Sequence, residues 1–367
     1  MIPVALPSLQ FLAVLTVSFY AGVLLLGWLA GLAVSSWARR KFRQYRKTSI
    51  GVMAGLAILS SFYVWVQYTF WAIGREIDAE QAALRITLTE PATLGRIGMP
   101  AGTALVLKLK DQRESFTEAV FPQPVSIFGV QADRINRFIS IEYDPDTYAT
   151  LGTYATSVEL LGKGSQDVQG WHCDATQPIR FDVEHDGGSG QFQTCLLGEG
   201  NTVGDLRVPA GSELLSSNGT VYGDGHVDAD RWRIDIKKEA ATKVSGLLLR
   251  EPTLRLGADR QLMSVASATL ACETQLGGMR YPVGTLVQSA GRGLRDAYPG
   301  ALVFSPDDGA AAHSTEHGDV QDGMSVVQMP DGKVMAIWPN EKAGVYRFAK
   351  FVMQGQDDAA PAKASCP

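Results

Sequence analysis

The sequence predicts a membrane-anchored all-β protein: an N-terminal two-helix transmembrane hairpin followed by a large extracytoplasmic β domain built from repeated hairpin-like units. Three observations carry this. Two long apolar runs, 9–34 and 50–73, flank a stretch with six basic residues in nine, 39–47. All 38 acidic residues lie at Glu76 or beyond. After residue 83, short apolar runs alternate with Gly, Pro, Asn and Asp, the pattern of strands and turns.

Composition alone hides this division, because a formal charge of −5 and a pI near 5.6 describe an ordinary soluble protein. Residues 1–38 and 49–74 contain no charged side chain. The first run is too long for a signal-peptide core of about 7 to 15 residues, and no basic residue precedes it, so it reads as a retained anchor. Both runs reach the roughly 20 residues that a helix needs to cross the hydrocarbon layer.

Orientation follows from Arg39, Arg40, Lys41, Arg43, Arg46 and Lys47, because short basic loops stay on the cytoplasmic side. Both termini and the large domain are then extracytoplasmic, on a two-pass protein of the inner membrane. The bilayer is the first expected partner, and each basic residue near anionic lipid adds about 1 kcal/mol of attraction. The expected organisation is a hairpin at 1–74, a helical linker at 75–83, a β-rich region at 84–353 and a disordered tail at 354–367, whose Asp, Ala, Pro and Lys content disfavours a core. The β-rich region is long enough for one large domain or two subdomains.

Small residues recur in both runs: Gly27 and Gly31 in the first, Gly51 and Gly55 in the second. Glycines four apart let helix backbones approach closely. Two uses are open, packing of the two helices on each other and homo-oligomerisation through them.

In the β-rich region one phrase recurs. Residues 93–103 (TLGRIGMPAGT) are echoed at 202–212 (TVGDLRVPAGS) and again at 274–285 (TQLGGMRYPVGT). Each is a run of rough period two, then Pro-x-Gly-Thr/Ser, then a new apolar run. The expectation is a turn with Pro at its first central position and Gly supplying φ above zero. The units resemble MORN-type repeats in outline, although the aromatic and glycine spacing of that family is missing. A trace of helical periodicity falls at residues 133–140.

The four cysteines all lie in the segment placed outside the cytoplasm, where disulfides persist. Cys173 and Cys195 fall in consecutive strand-like runs and are the expected pair; Cys366 pairs with Cys272 or stays free. No CxxC spacing suggests zinc.

His313-Ser-Thr-Glu-His317 would place two imidazoles on one face if it were helical. Metal binding by His313 and His317 is weighed there against a polar surface loop. Gly223-Asp-Gly-His226-Val-Asp228-Ala-Asp230 is acidic but lacks calcium-loop spacing, so the expectation is a β-turn with solvated carboxylates. No GxSxG elbow or P-loop occurs, and no cofactor is implied. The segment from Arg75 onward carries 27 basic and 38 acidic residues, a formal −11, which argues against nucleic acid and favours a basic protein partner. Two functions stay open: a membrane-tethered binding or scaffold protein that captures an envelope partner (an assembly component or a toxin to be neutralised), or an envelope hydrolase with a His/Asp or metal site.

Overall fold

The computed structural model describes residues 8–184, 188–223, 225–236, 241–307, 309–346 and Cys366. The expected disordered tail lies outside these residues apart from Cys366. Two compact units divide the chain, Met1–Arg85 and Ile86–Pro367.

The first unit contains α1 (Leu9–Val34), α2 (Ser36–Gln44) and α3 (Arg46–Ala83). α1 and α3 are each long and apolar enough to cross a membrane. The charged residues expected as a separate linker are the last turns of α3, which runs unbroken for 38 residues, about 57 Å. The basic stretch is mostly helical too. Ser35 starts α2 by accepting the Ala38 N–H on its hydroxyl at 3.3 Å, the usual work of an N-cap serine. Arg39 reaches back to donate to the carbonyls of Leu32 and Ala33 at 3.2 and 2.8 Å. A cation there satisfies carbonyls that the end of α1 leaves without a helical partner, so this arginine caps a helix as well as carrying charge.

α1 and α3 pack on each other, but not through the glycines singled out above. No neighbouring heavy atom lies within 4 Å of a Cβ built on Gly27, Gly31, Gly51 or Gly55. The close approach is at Gly22 and Ser60, where a Cβ on Gly22 would sit 3.5 Å from that of Ser60. Ser18, Ala21 and Val66 are buried, and Phe19 meets Tyr63 edge-on at 5.3 Å. Helical geometry gives the reason: at 100° per residue, positions 27 and 31 point about 140° and 180° away from position 22. The same offsets separate positions 55 and 51 from position 60, so both glycine pairs face outward.

The second unit is built on one 16-stranded sheet whose main path runs from Arg85–Thr87, at the boundary of the units, to Val334–Pro339, and from Ala104–Leu107 onward each strand on the path pairs antiparallel with the next. The helical trace at 133–140 is overruled, because those residues lie inside the strand Val130–Tyr143. That strand pairs along its length with Phe116–Ile127 and Thr150–Gly162, and the ladder outweighs a short stretch of helical periodicity. Short hairpins stand off the main sheet, among them Ala92–Leu94 with Ile97–Met99, Thr202–Val203 with Leu206–Arg207, and Thr274–Leu276 with Met279–Tyr281.

These three hairpins belong to the recurring phrase, and their surroundings match bond for bond. Leu88, Leu197 and Leu270 each donate their N–H to the carbonyl of the residue 15 positions on, at 2.9, 2.8 and 2.9 Å to Thr103, Ser212 and Thr285. The same leucines accept from Gly102, Gly211 and Gly284 at 2.7, 2.7 and 2.9 Å. Between these anchors the chain leaves the main sheet, makes its hairpin and returns.

The closing turn differs from expectation in one respect. The N–H of Thr103 donates to the Pro100 carbonyl at 3.3 Å, so Pro is the first residue of the turn rather than its first central one. Its missing N–H ends the hairpin strand. The second central position is Gly102, with φ +86°, as a type II turn requires. The buried hydroxyl of Thr103 also donates to Pro100 at 2.7 Å, and Ser212 and Thr285 repeat this at 2.7 and 2.8 Å.

Aromatic contacts fill part of the core: Trp171 meets Trp232, Trp232 meets Phe192, and Phe192 meets Phe181, at 5.9, 6.0 and 5.8 Å between centroids. Beside them Cys173 is bonded to Cys195, with their Cα atoms 5.9 Å apart. The strand Ile179–Val183 lies between them in the chain, so they are not on consecutive strands. Of the two possibilities for Cys366, the structure has the bond to Cys272, with Cα atoms 5.7 Å apart.

Candidate functional site

The most developed site lies where the main sheet comes open. Strand Leu262–Leu270 keeps its ladder to Leu247–Leu256 down to Leu262. On its other side it pairs with Leu286–Ser289 only at Ala268 with Val287 and Thr269 with Leu286. Beyond that point the Val265 N–H donates to the Ser289 hydroxyl at 2.9 Å. Ser289 is also where the neighbouring chain turns away, into a short helix, α4 (Arg292–Ala297). Leu294 draws α4 down by packing with Ala290, Ala301, Val303 and Val327.

A cleft of about 400 Å³ occupies the opening, lined among others by Tyr222, Arg255, Ser264, Gln288, Ser289 and Arg295 together with Gly291 and Ala301. Among the described residues, no Asp, Glu or His lines it. Arg295 is held from behind by Asp228, whose two oxygens accept from its guanidinium at 2.9 and 3.1 Å. The Tyr222 hydroxyl donates to the same carboxylate at 2.6 Å, and His226 Nε2 lies 3.3 Å from it.

The electrostatics follow from these bonds. Arg295 holds the Asp228 carboxyl far below the usual carboxylate range, with Tyr222 and His226 adding to the effect against the opposing cost of burial. Asp228 in return pushes Arg295 up. Burial pushes the Tyr222 phenol up, helped by its bond to Asp228. Burial would raise Asp230, but the Ser217 hydroxyl at 2.7 Å and the Thr220 N–H at 2.8 Å outweigh it, with the Arg255 charge adding in the same direction, and its carboxyl is held low.

This corrects the expectation for 223–230. Asp228 and Asp230 are not solvated turn carboxylates: the Asp228 side chain is 12% exposed and Asp230 5%. Arg295, the partner of Asp228, follows it by 67 residues, a separation that no local pattern discloses.

The histidine pair is also placed differently from a helix. His313 lies on strand Ala312–Ser314, directly across from Asp319 on Gly318–Val320, and His313 Nδ1 is 2.7 Å from the Asp319 carboxylate. His317 sits in the intervening turn, its N–H donating to the Ser314 hydroxyl at 3.1 Å. Both are surface groups, and no cluster of three or more potential metal-ligating side chains occurs among the described residues.

No family model matches the chain, and no curated protein or solved structure matches it.

Proposed function

We propose that the chain is a membrane-tethered binding or scaffold protein whose β unit captures a protein partner in the cell envelope. The reading is supported most by the continuous 16-stranded sheet with its stand-off hairpins, a broad rigid surface attached to two helices of membrane-spanning length. Orientation in the proposal rests on the six basic residues of 39–47, which place α2 in the cytoplasm and both termini outside, in the inner membrane. The units repeat as hairpin excursions from one sheet, and loop-like excursions on a rigid scaffold are where binding residues concentrate. The outward glycine faces of α1 and α3 leave room for a second copy. A hydrolase built on histidine draws no support from the cleft, which no histidine lines among the described residues.

Topology is tested by single-cysteine labelling of intact cells at the exposed positions Ser8, Thr48 and Tyr148. S8C and Y148C should label from outside and T48C only after permeabilisation; labelling of T48C on intact cells would overturn the orientation. Capture is tested by cross-linking in membranes followed by affinity measurement with the recovered partner. An acidic outer unit should bind a basic partner more weakly as salt rises past about 0.15 M, where charges more than about 8 Å apart are screened. Turnover of an envelope substrate, lost on replacing His313 and His317 by Ala, would instead establish the hydrolase.

A further inference from the structure

We propose that the cleft between Leu262–Leu270 and Leu286–Ser289 binds a small ligand through an oxyanion, a carboxylate or a phosphate group, with Arg255 as its charge partner. The site goes beyond partner capture and does not depend on it. Its first support is the contrast of charge: an acidic segment, 27 basic against 38 acidic residues, contains a cleft lined by two arginines and, among the described residues, by no Asp or Glu. Opposite charge and matching hydrogen-bond geometry make arginine the preferred side chain for gripping such groups through two parallel bonds.

The second support is that the two arginines are in different states. Arg295 is spent, since both oxygens of Asp228 fill its fork. Arg255 is half-buried and forms no hydrogen bond or ion pair with any described residue. It influences Tyr222 and Asp230 only through space. Asp230 cannot swing forward easily, because Ser217 and Thr220 hold its oxygens. Across the sheet from Arg255 on one side stands Arg233, neutralised by Asp235 at 2.9 and 3.0 Å. On the other side stands Ser264, which also lines the cleft. The Ser289 hydroxyl accepts from Val265 and so retains its own proton to donate.

A guanidinium whose donors no described residue fills, beside Ser264 and Ser289 in the same opening, is completed by an acceptor-only group of negative charge. The cleft, about 400 Å³, is in the range of sites for small organic ligands, roughly 300 to 1,000 Å³.

The test uses the full-length protein in detergent, titrated by calorimetry with inorganic phosphate and, separately, with succinate, and followed by thermal unfolding. Saturable binding of at least one anion should raise the unfolding temperature, because a ligand held only by the folded state stabilises it. Succinate without phosphate identifies a carboxylate site, and phosphate without succinate a phosphate site. Arg255→Gln should weaken binding at least tenfold, and Arg255→Lys, which keeps the charge but not the fork, should recover part of the loss. Ser264→Ala keeps both arginines and should weaken binding severalfold, which decides the matter if Arg255→Gln does not fold. Absence of saturable binding by both anions overturns the proposal, as does undiminished affinity in the folded Arg255→Gln protein or, failing that, in Ser264→Ala.

Discussion

Replacing Gly277 by valine lowers the stability of the β unit by about 4 kcal/mol, while the same change at Gly204 costs much less. Both residues occupy one position in the recurring phrase, at the tip of the stand-off hairpin, with φ of +56° and +55°. A side chain in that conformation is strained by roughly 1 to 2 kcal/mol wherever it occurs. At Gly204 nothing lies within 4 Å of an added Cβ, whereas at Gly277 it would overlap the carbonyl of Gly332 and lie 2.9 Å from the Cα of that residue. Backbone cannot step aside as a side-chain end can. Separating the two turns also releases Gln328, whose amide donates to Leu276 and Gly332 at 2.9 and 2.8 Å and whose oxygen accepts from buried Tyr281 at 2.7 Å. Leaving such buried groups unpaired costs about 1 to 3 kcal/mol each. Urea unfolding of G277V and G204V decides it: equal losses would show that strain alone acts and that the close approach is unimportant.

Replacing Cys173 and Cys195 together by alanine lowers stability by about 3 kcal/mol, from the chain entropy released when a loop of this length is no longer closed. The bonded residues are separated by 22 positions. The bond also ties two different sheets together, since Cys173 lies on the stand-off hairpin strand Trp171–Asp174 and Cys195 on the main-sheet strand Gly190–Leu196. Both are buried beside the Trp171–Trp232 contact. A loss of this size is a large part of the 5 to 15 kcal/mol typical of a domain. The measurement is denaturant unfolding of the double variant against the wild type, with non-reducing peptide mapping of the latter. Free thiols at both positions in freshly isolated wild type would sink the expectation at its source.

Local, periodic features were legible in the sequence, and features made by distant partners were not. The apolar runs declared α1 and α3 because helix length and the absence of charge are properties of a single segment. The three phrases declared their shared hairpin because turn chemistry is written within a few residues; the identical bonds around Leu88, Leu197 and Leu270 follow from that. The role of proline was misplaced by one position because Pro-x-Gly fits a turn in more than one frame, and only the Thr103 to Pro100 hydrogen bond fixes which.

By itself, the amino-acid sequence determined the two long helices, the β character of the rest, the hairpin phrase and the favoured pairing of Cys173 with Cys195, all from spacing and charge along short stretches. Tertiary structure decided the rest. The helix pair turned its glycines outward because Gly22 and Ser60, on the opposite faces, are the residues that meet. Asp228 became a nearly buried anchor because Arg295 reaches it from a helix 67 residues away. The cleft exists because two strands separate beyond Ala268 and Val287, where Leu294 draws the following helix into the core. Each of these depends on which distant surfaces bury each other, and burial is a property of the folded chain, not of any one segment of it.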